Sequence, residues 1–557
     1  MQHLDRYGKQ YFLPQGVTMD FLRRDALSRA PIWCSVDLRD GNQALPVPPG
    51  LEEKVRFFDL LCRIGFKEIE VAFPAAFKSE LDFCRALIER GLIPDDVTIQ
   101  VLTQTRPQMI EKTFDAIRGA KHAIVHMYQP VSPAQREQIF HADKKDTIAA
   151  AVEAAKVMRD CLAAAEGEVT PEFSPESFSG TEPEFAAEIV NAVLDVWRPT
   201  SERRAIINLP VTVSYAMPHV YAAQVEYMCR HINGRENVIV SLHPHNDRGC
   251  AVADSELGLL AGADRVEGTL FGNGERTGNV DLVTLALNLF AQGVDPKLDF
   301  SNLPAAVEVY ERTTGMHVPP RQPYSGALAF TAFSGAHQDA IAKGIAWRQE
   351  HKDAKWNVPY LPLDPADLGR NGENDVIRIN AQSGKGGVEY ILETYYHHTL
   401  PPAMRGEFGK TIKNISDESK KELLPADIYG IFTDAYVNLG TPIEIRKVRY
   451  REEADNRIEA EISLFYRGVP QNIRGNGNGR LNAVTNALKD LTGIRFHLES
   501  YTEHALGGQS SSEAASYVGI KADDRFFWGV GVDADIMQSS VLALVSAIDR
   551  LLNENEK

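Results

Sequence analysis

The chain has 557 residues, of which 44% are hydrophobic and 24% charged, and its formal net charge is −17. This length exceeds one hydrophobic core, so several domains are expected, and the acidity argues against a nucleic-acid partner and an anionic membrane surface. There is no secretory h-region, no apolar run of the ~18 residues a membrane span needs and no C-x-x-C pair among the six cysteines, so a reduced, cytoplasmic protein is expected.

In chain order, residues 31–272 repeat a short apolar strand followed by a helix-like segment. The strands are "IWCSVDL", "EIEVAF", "VTIQVLT", "AIVHMY", "VTPEFS", "AIINLPVTV", "NVIVSLH" and "RVEGTLF". Between them, segments such as "LEEKVRFFDLLCRIG" carry apolar residues near i, i+3 and i+4, the spacing of amphipathic helices. The repetition predicts a (β/α)8 TIM barrel within residues 1–325, with an open doubly wound sheet as the alternative.

A barrel places its chemistry at the C-terminal ends of its strands. Arg39, Asp40 and Gln43 follow the first strand; the third ends near Leu102 and Thr103, the fourth at His126, and the fifth runs into Glu176. The sixth ends near Thr212, and the seventh carries His243 and His245, two apart and so on one face. Two imidazoles hold a catalytic cation only with a further ligand. Asp40 is the best candidate, because closure of a barrel brings the first strand near the seventh. By itself, an Asp before Gly and Asn reads as a turn residue. Asn279, in "FGNGERTGN" after the eighth strand, offers an oxygen directly or through water. Mixed oxygen and nitrogen donors suit Mg²⁺, Mn²⁺ or Zn²⁺ without choosing among them.

Residues 326–427 mix helix-like and Pro-rich pieces and read as connector subdomains. Residues 428–557 read as an α+β domain: strands "PIEIRKVRY" and "RIEAEISLFYRG", then G-x-G turns opening into helices, a doubled strand-strand-helix unit. Two look-alikes are set aside as tight turns. "SGKGG" at 383–387 lacks the Ser or Thr that follows a phosphate-loop lysine, and "GNGNGR" lacks the last glycine of a dinucleotide fingerprint. Small residues at 475–479, 504–517 and 529–536, including Gly477, Gly479, Ala505 and Ala515, would let backbone N–H groups meet an amino acid's carboxylate beside a branched apolar side chain. The alternative is a dimerisation domain whose glycines only make turns.

"DLRDGNQ", "SLHPHNDRG" and "GNGERTGN", with "FTAFSGAHQDAI", "VPYLPLDP" and "QSGKGG" further on, resemble the α-isopropylmalate synthase family of acyl-CoA-condensing TIM-barrel metalloenzymes, over nearly the whole chain. The resemblance implies an acyltransferase that condenses acetyl-CoA with the 2-oxo acid 3-methyl-2-oxobutanoate to 2-isopropylmalate, in leucine biosynthesis. It further implies a divalent metal (magnesium first), potassium activation, a homodimer, and leucine as a feedback inhibitor bound by residues 428–557. Carried onto these residues, it gives Arg39 the charge developing on the keto oxygen and gives Glu176 or His337 the acetyl proton. Tyr360 positions acetyl-CoA or the hydrolytic water. Gln43, Leu102, His126, Ser174 and Thr212 become substrate contacts, with Leu102 against the isopropyl group. Homocitrate and citramalate synthases are the neighbouring alternatives. A catalytically inactive amino-acid sensor is the alternative from another class, and the acid–base set at the strand ends speaks against it.

Overall fold

Eight parallel strands close into a barrel in the computed structural model, which describes residues 3–352, 354–370, 385–419, 423, 425–453, 457–506 and 512–555. They are β1 (Ile32–Ser35), β2 (Glu68–Ala72), β3 (Thr98–Gln104), β4 (His122–Pro130), β5 (Glu168–Glu176), β6 (Ala205–Val211), β7 (Val238–Pro244) and β8 (Arg265–Gly268). Closure is direct: β1 pairs with β8 from Ile32↔Arg265 to Ser35↔Gly268, which rules out the open sheet. Helices α1 (Leu51–Ile64), α2 (Lys78–Glu89), α3 (Pro107–Ala116), α4 (Lys144–Ala164), α5 (Pro183–Trp197), α6 (Pro218–His231), α7 (Ala251–Leu260) and α8 (Leu282–Ala291) follow the strands in turn.

The period of two along each strand separates two chemistries. One face presents Ile69, Val71, Ile99, Val101, Val125, Phe173, Ile207, Val240 and Val266, all completely buried. The other turns Glu70, Gln100, His126, Glu172, Ser174, Asn208, His243 and Glu267 into the barrel, where they too are buried. An interior filled this way survives only because its polar groups bond one another. β1 is shorter than its apolar run suggests. After Ser35 the chain curls into a buried turn, Asp37–Gly41, in which the Val36 carbonyl accepts from both Asp40 N (2.9 Å) and Gly41 N (3.1 Å). Such widened turns occur frequently at functional sites.

Contacts divide the chain into two units: Met1–Ala329 with Asp364–Asn371, and Phe330–Leu363 with Gly372–Lys557. In the second unit, α9 (Gly335–Glu350) precedes α10 (Lys385–Tyr396), α11 (Pro402–Ser419) and α12 (Pro425–Tyr436). Residue 428, where composition places the start of the last domain, therefore falls inside a helix. Ser383 and Gly384 of "SGKGG" lie outside the described residues. Two three-stranded antiparallel sheets follow. The first has order β11-β10-β9, with β9 (Ile443–Glu452), β10 (Ile458–Tyr466), β11 (Val469–Gly477) and then α13 (Arg480–Thr492). The second has order β12-β13-β14, with β12 (His497–Ala505), β13 (Ala514–Ala522), β14 (Arg525–Asp533) and α14 (Ile536–Asn555).

The repeat is thus strand-strand-strand-helix, one strand more than expected. Glycines read as turn formers lie in strands, because the helix axis passes directly over them. A Cβ on Gly475 would meet Ala483 O at 2.5 Å, and one on Gly531 would meet Ser539 O at 1.9 Å. The run at 504–517 does not open into a helix either. Ala505 ends β12 and Ala515 begins β13, while residues 507–511 lie outside the described residues. β13 is buried on both faces: Val518 and Ile520 join a core with Ile462, Leu464, Val484 and Leu544, whereas Ala515 and Tyr517 join α10–α12 through Leu392, Phe408 and Phe432.

Candidate active site

The mouth of the barrel gathers Asp40, His243 and His245 within one ligand sphere. Asp40 Oδ2 stands 3.0 Å from His243 Nε2 and 3.7 Å from His245 Nε2. Asn279 Nδ2 donates to Asp40 Oδ2 at 2.7 Å and lies 3.1 Å from His243 Nε2. The pleat aims both histidines inward, and the Asp37–Gly41 turn carries Asp40 back over the opening. His245 is further fixed by a bridge to Asn279 beyond β8.

These donors fit a divalent cation. His243 Nδ1 is engaged by Glu267 Oε2 at 2.6 Å, which leaves Nε2 as the nitrogen that could face a cation, as in the carboxylate–histidine arrangement of metal sites. His245 Nδ1 and Asn279 Oδ1 are buried with no hydrogen-bond partner, a costly state for polar atoms. A half-turn of the Asn279 amide exchanges its oxygen and nitrogen and adds the oxygen to the donor set. The charges agree. Burial opposes ionisation of Asp40, but the Arg39 guanidinium and the His243 hydrogen bond outweigh it and hold the carboxylate well below its ordinary range. Burial, with His243 beside it, pushes His245 down to about 4, so its imidazole is neutral. Burial also opposes protonation of His243, yet its bonds to Asp40 and Glu267 lift it to about 9; a proton there occupies the place a cation would take.

Below this triad runs a continuous polar network. Arg39 donates from NH1 to Asp40 Oδ1 at 2.8 Å and from Nε to Glu70. Glu70 also accepts from Gln100 Nε2 (2.5 Å) and pairs with His126 Nδ1 (3.0 Å). His126 Nε2 meets Ser174 Oγ at 2.7 Å, and Asn208 Nδ2 donates to the same oxygen at 2.9 Å. Arg265, fully buried, donates to Glu267, Gln100 Oε1 (2.6 Å) and Ser241 Oγ (2.9 Å). His126, Glu172 and Glu267 also converge, but the Arg265 guanidinium already supplies the positive charge there, against Glu267 and 3.7 Å from Glu172. Burial and the neighbouring Glu267 push the Glu172 carboxyl well above its usual range.

Other expected residues of the barrel unit sit around the rim. Leu102 is inward and buried, paired in register with His126. Glu176 ends β5, where burial raises its carboxyl. Thr212 Oγ1 accepts from Ser177 N at 2.9 Å. Gln43 is exposed and donates to Glu275 Oε1 at 2.9 Å. His337, at the start of α9, and Tyr360 belong to the second unit, where their rings stack with centroids 4.0 Å apart. Of the small residues, Gly477 ends β11 and Gly479 caps α13 in one repeat, whereas Ala505 and Ala515 lie in the other. Ala515 is fully buried beneath the connector helices.

The sequence reading does not single out Glu70, Gln100, Glu172, Arg265 or Glu267. The signal was present: "EIEVAF" and "RVEG" each carry a Glu at an inward position of an otherwise apolar strand, where an unpaired charge could not stay.

Three family models match the chain. One described as HMGL-like spans residues 30–309, "Alpha-isopropylmalate synthase, post-catalytic domain-like" spans 327–393, and "LeuA allosteric (dimerisation) domain" spans 422–552. A 2-isopropylmalate synthase of Helicobacter hepaticus is 52% identical over 98% of this chain and 99% of its own length. That of Desulfitobacterium hafniense is 53% identical over 100% of both chains. Among solved structures, hydroxymethylglutaryl-CoA lyase from Pseudomonas aeruginosa covers 52% of this chain and 95% of that chain at 18% identity, with a TM-score of 0.44. With relatives of about half identity over their full length, the chain belongs to the 2-isopropylmalate synthase family.

Proposed function

We propose that this enzyme condenses acetyl-CoA with 3-methyl-2-oxobutanoate at the rim formed by Arg39, Asp40, His243 and His245, and releases 2-isopropylmalate and CoA. The convergence of Asp40, His243 and His245, in a chain aligned end to end with the relatives above, carries this reading. Asp40, His243, His245 and Asn279 would hold the divalent cation, magnesium before manganese or zinc, which supplies Lewis-acid polarisation of a keto carbonyl. Arg39, fixed through Glu70 and Asp40, keeps its remaining N–H groups for the oxyanion that forms. Leu102 faces the branched alkyl group, and Gln43, His126, Ser174 and Thr212 line the oxo-acid pocket. Tyr360 positions the thioester or the water that cleaves it.

The base takes a proton from the acetyl methyl. Glu176 is a carboxylate at the C-terminal end of β5 whose burial raises its basicity, and His337 is the competing base from the second unit. Exchange of acetyl methyl hydrogens from ²H-labelled acetyl-CoA, in the presence of the oxo acid, separates them. Glu176→Gln should stop label loss while His337→Ala slows it less. Label loss unaffected by either change would remove both from the role.

The match of residues 422–552 to the "LeuA allosteric (dimerisation) domain" model supports leucine as effector and a homodimer as the working form; a cytoplasmic location and potassium as a second activating cation rest on the family resemblance alone. No helix among the described residues is long and apolar enough to cross a membrane. Because α12 spans residue 428 and the connector shares its core with β13 and β14, point substitutions in the full chain test leucine inhibition more cleanly than truncation.

A further inference from the structure

The turn between β8 and α8 holds a strained residue with a specific set of partners. Arg276 adopts φ 58°, a left-handed conformation uncommon for a non-glycine residue and most often kept where function needs it. Its Nε donates to Asp247 Oδ1 at 2.7 Å, and its NH2 donates to Asp247 Oδ2 at 3.2 Å and to the Thr212 carbonyl at 2.6 Å. Asp247 Oδ2 also accepts from Ser214 N at 3.0 Å. One guanidinium therefore ties together the loops that follow β6, β7 and β8.

The same turn is pressed against the metal-binding residues from its other side. Asn246 N donates to Gly278 O at 2.9 Å. A Cβ on Gly274 would fall 1.9 Å from Asn279 Oδ1, so only glycine lets the turn lie this close to the amide. Asp247 follows His245 by two residues, and Asn279 follows Arg276 by three. We propose that Arg276 is a positioning residue: its fork on Asp247 and the Thr212 carbonyl clamps the 273–279 turn so that His245 and Asn279 keep their places around the cation. This rests on the assignment of the metal site above.

The competing view is an ordinary surface ion pair, since the Arg276 side chain is 39% exposed and exposed pairs contribute little. A surface pair needs neither a bidentate fork, nor a third loop's carbonyl, nor a left-handed backbone. The test uses the full chain and its variants Arg276→Gln, Arg276→Lys, Asp247→Asn and the double variant Arg276→Gln/Asp247→Asn. Mn²⁺ affinity is read by calorimetry without substrates, alongside the thermal midpoint and steady-state kinetics at saturating metal.

Each single variant should raise the Mn²⁺ Kd by roughly 10-fold or more, as loss of groups that orient metal ligands does, with the thermal midpoint unchanged. The double variant should be no worse than the weaker-binding single, because the two residues act as one unit. Arg276→Lys should resemble Arg276→Gln, since an ammonium cannot form the fork. Excess metal should restore much of the lost kcat. The proposal is overturned by an unchanged Mn²⁺ Kd in both single variants, by additive losses, by metal loss that only tracks a falling thermal midpoint, or by a raised oxo-acid KM at unchanged metal affinity. If the parent chain itself binds no Mn²⁺, the metal-site assignment fails instead.

Discussion

Glu267→Gln removes one charge from the barrel interior while keeping the side chain's shape, and the structure sets the size of two separate effects. Glu267 accepts from His243 Nδ1 at 2.6 Å and from Gln100 Nε2 at 3.1 Å, and it pairs with the fully buried Arg265. An amide keeps one acceptor oxygen but turns an NH2 toward groups that are themselves donors. Breaking a buried ion pair typically costs about 3–5 kcal/mol. Here the loss is smaller, because Arg265 keeps its bonds to Glu68, to Gln100 Oε1 and to Ser241 Oγ. A stability loss of about 1–3 kcal/mol follows, a fall of a few degrees in Tm for a barrel of this size. The second effect is on the metal. His243 loses the carboxylate that fixes its ring, and such losses weaken metal binding by about 10–100-fold. Calorimetric Mn²⁺ titration beside a thermal melt measures both. Parental Mn²⁺ affinity in a folded Glu267→Gln protein would refute the role assigned to the His243–Glu267 bond.

Arg39→Lys should lower kcat more than it raises KM for the oxo acid, since a point charge replaces a planar fork anchored on Glu70 and Asp40; steady-state kinetics with an unchanged kcat would make Arg39 a ground-state binder. Asp549 is fully buried, and burial lifts it from 3.8 to about 8 while it accepts from Ile443 N at 2.9 Å. A folded pKa above the unfolded one means stability present below pH ~4 and lost as pH rises toward 8. Asp549→Asn should therefore stabilise the C-terminal domain at pH 7, by at most about 4 kcal/mol, and not at pH 4, as denaturant melts at the two pH values would show; equal effects at both would exclude titration of Asp549. Gly529→Ala would put a Cβ 2.2 Å from Ala543 O and 2.3 Å from Ala547 N, backbone atoms that cannot yield unless α14 shifts. It should cost about 1–3 kcal/mol and weaken leucine inhibition while uninhibited condensation persists; unaltered inhibition would show that the α14–β14 contact plays no part in it.

The barrel was legible because its strands face a ring of helices. Ile69, Ile99, Val125, Ile207 and Val240 make each strand an apolar run, and the β1–β8 closure that places Asp40 beside His243 follows from strand order. The polar interior was harder to read. Glu172, Arg265 and Glu267 are separated by up to 95 residues in sequence, and each looks like an isolated charge until closure shows its partners. Asp247 and Arg276 were hidden for the same reason, as they meet only across two loops. β11 was missed because "VPQNIRGNG" carries only two large apolar residues, Val469 and Ile473, among polar residues and glycines. Gly475 and Gly477 are small to admit α13, so close packing took the appearance of a turn.

Thiol release from acetyl-CoA by the full chain, with Mg²⁺ and in turn 3-methyl-2-oxobutanoate, 2-oxobutanoate, pyruvate and 2-oxoglutarate, tests the assigned reaction most directly. The highest kcat/KM is expected with 3-methyl-2-oxobutanoate, with 2-oxobutanoate and pyruvate roughly 10–200-fold lower, as the loss of small apolar groups from a pocket dictates. No release is expected with 2-oxoglutarate, nor with any oxo acid in Asp40→Ala. Preference for 2-oxoglutarate, or no release with any of the four from a chain that binds the metal, would contradict it.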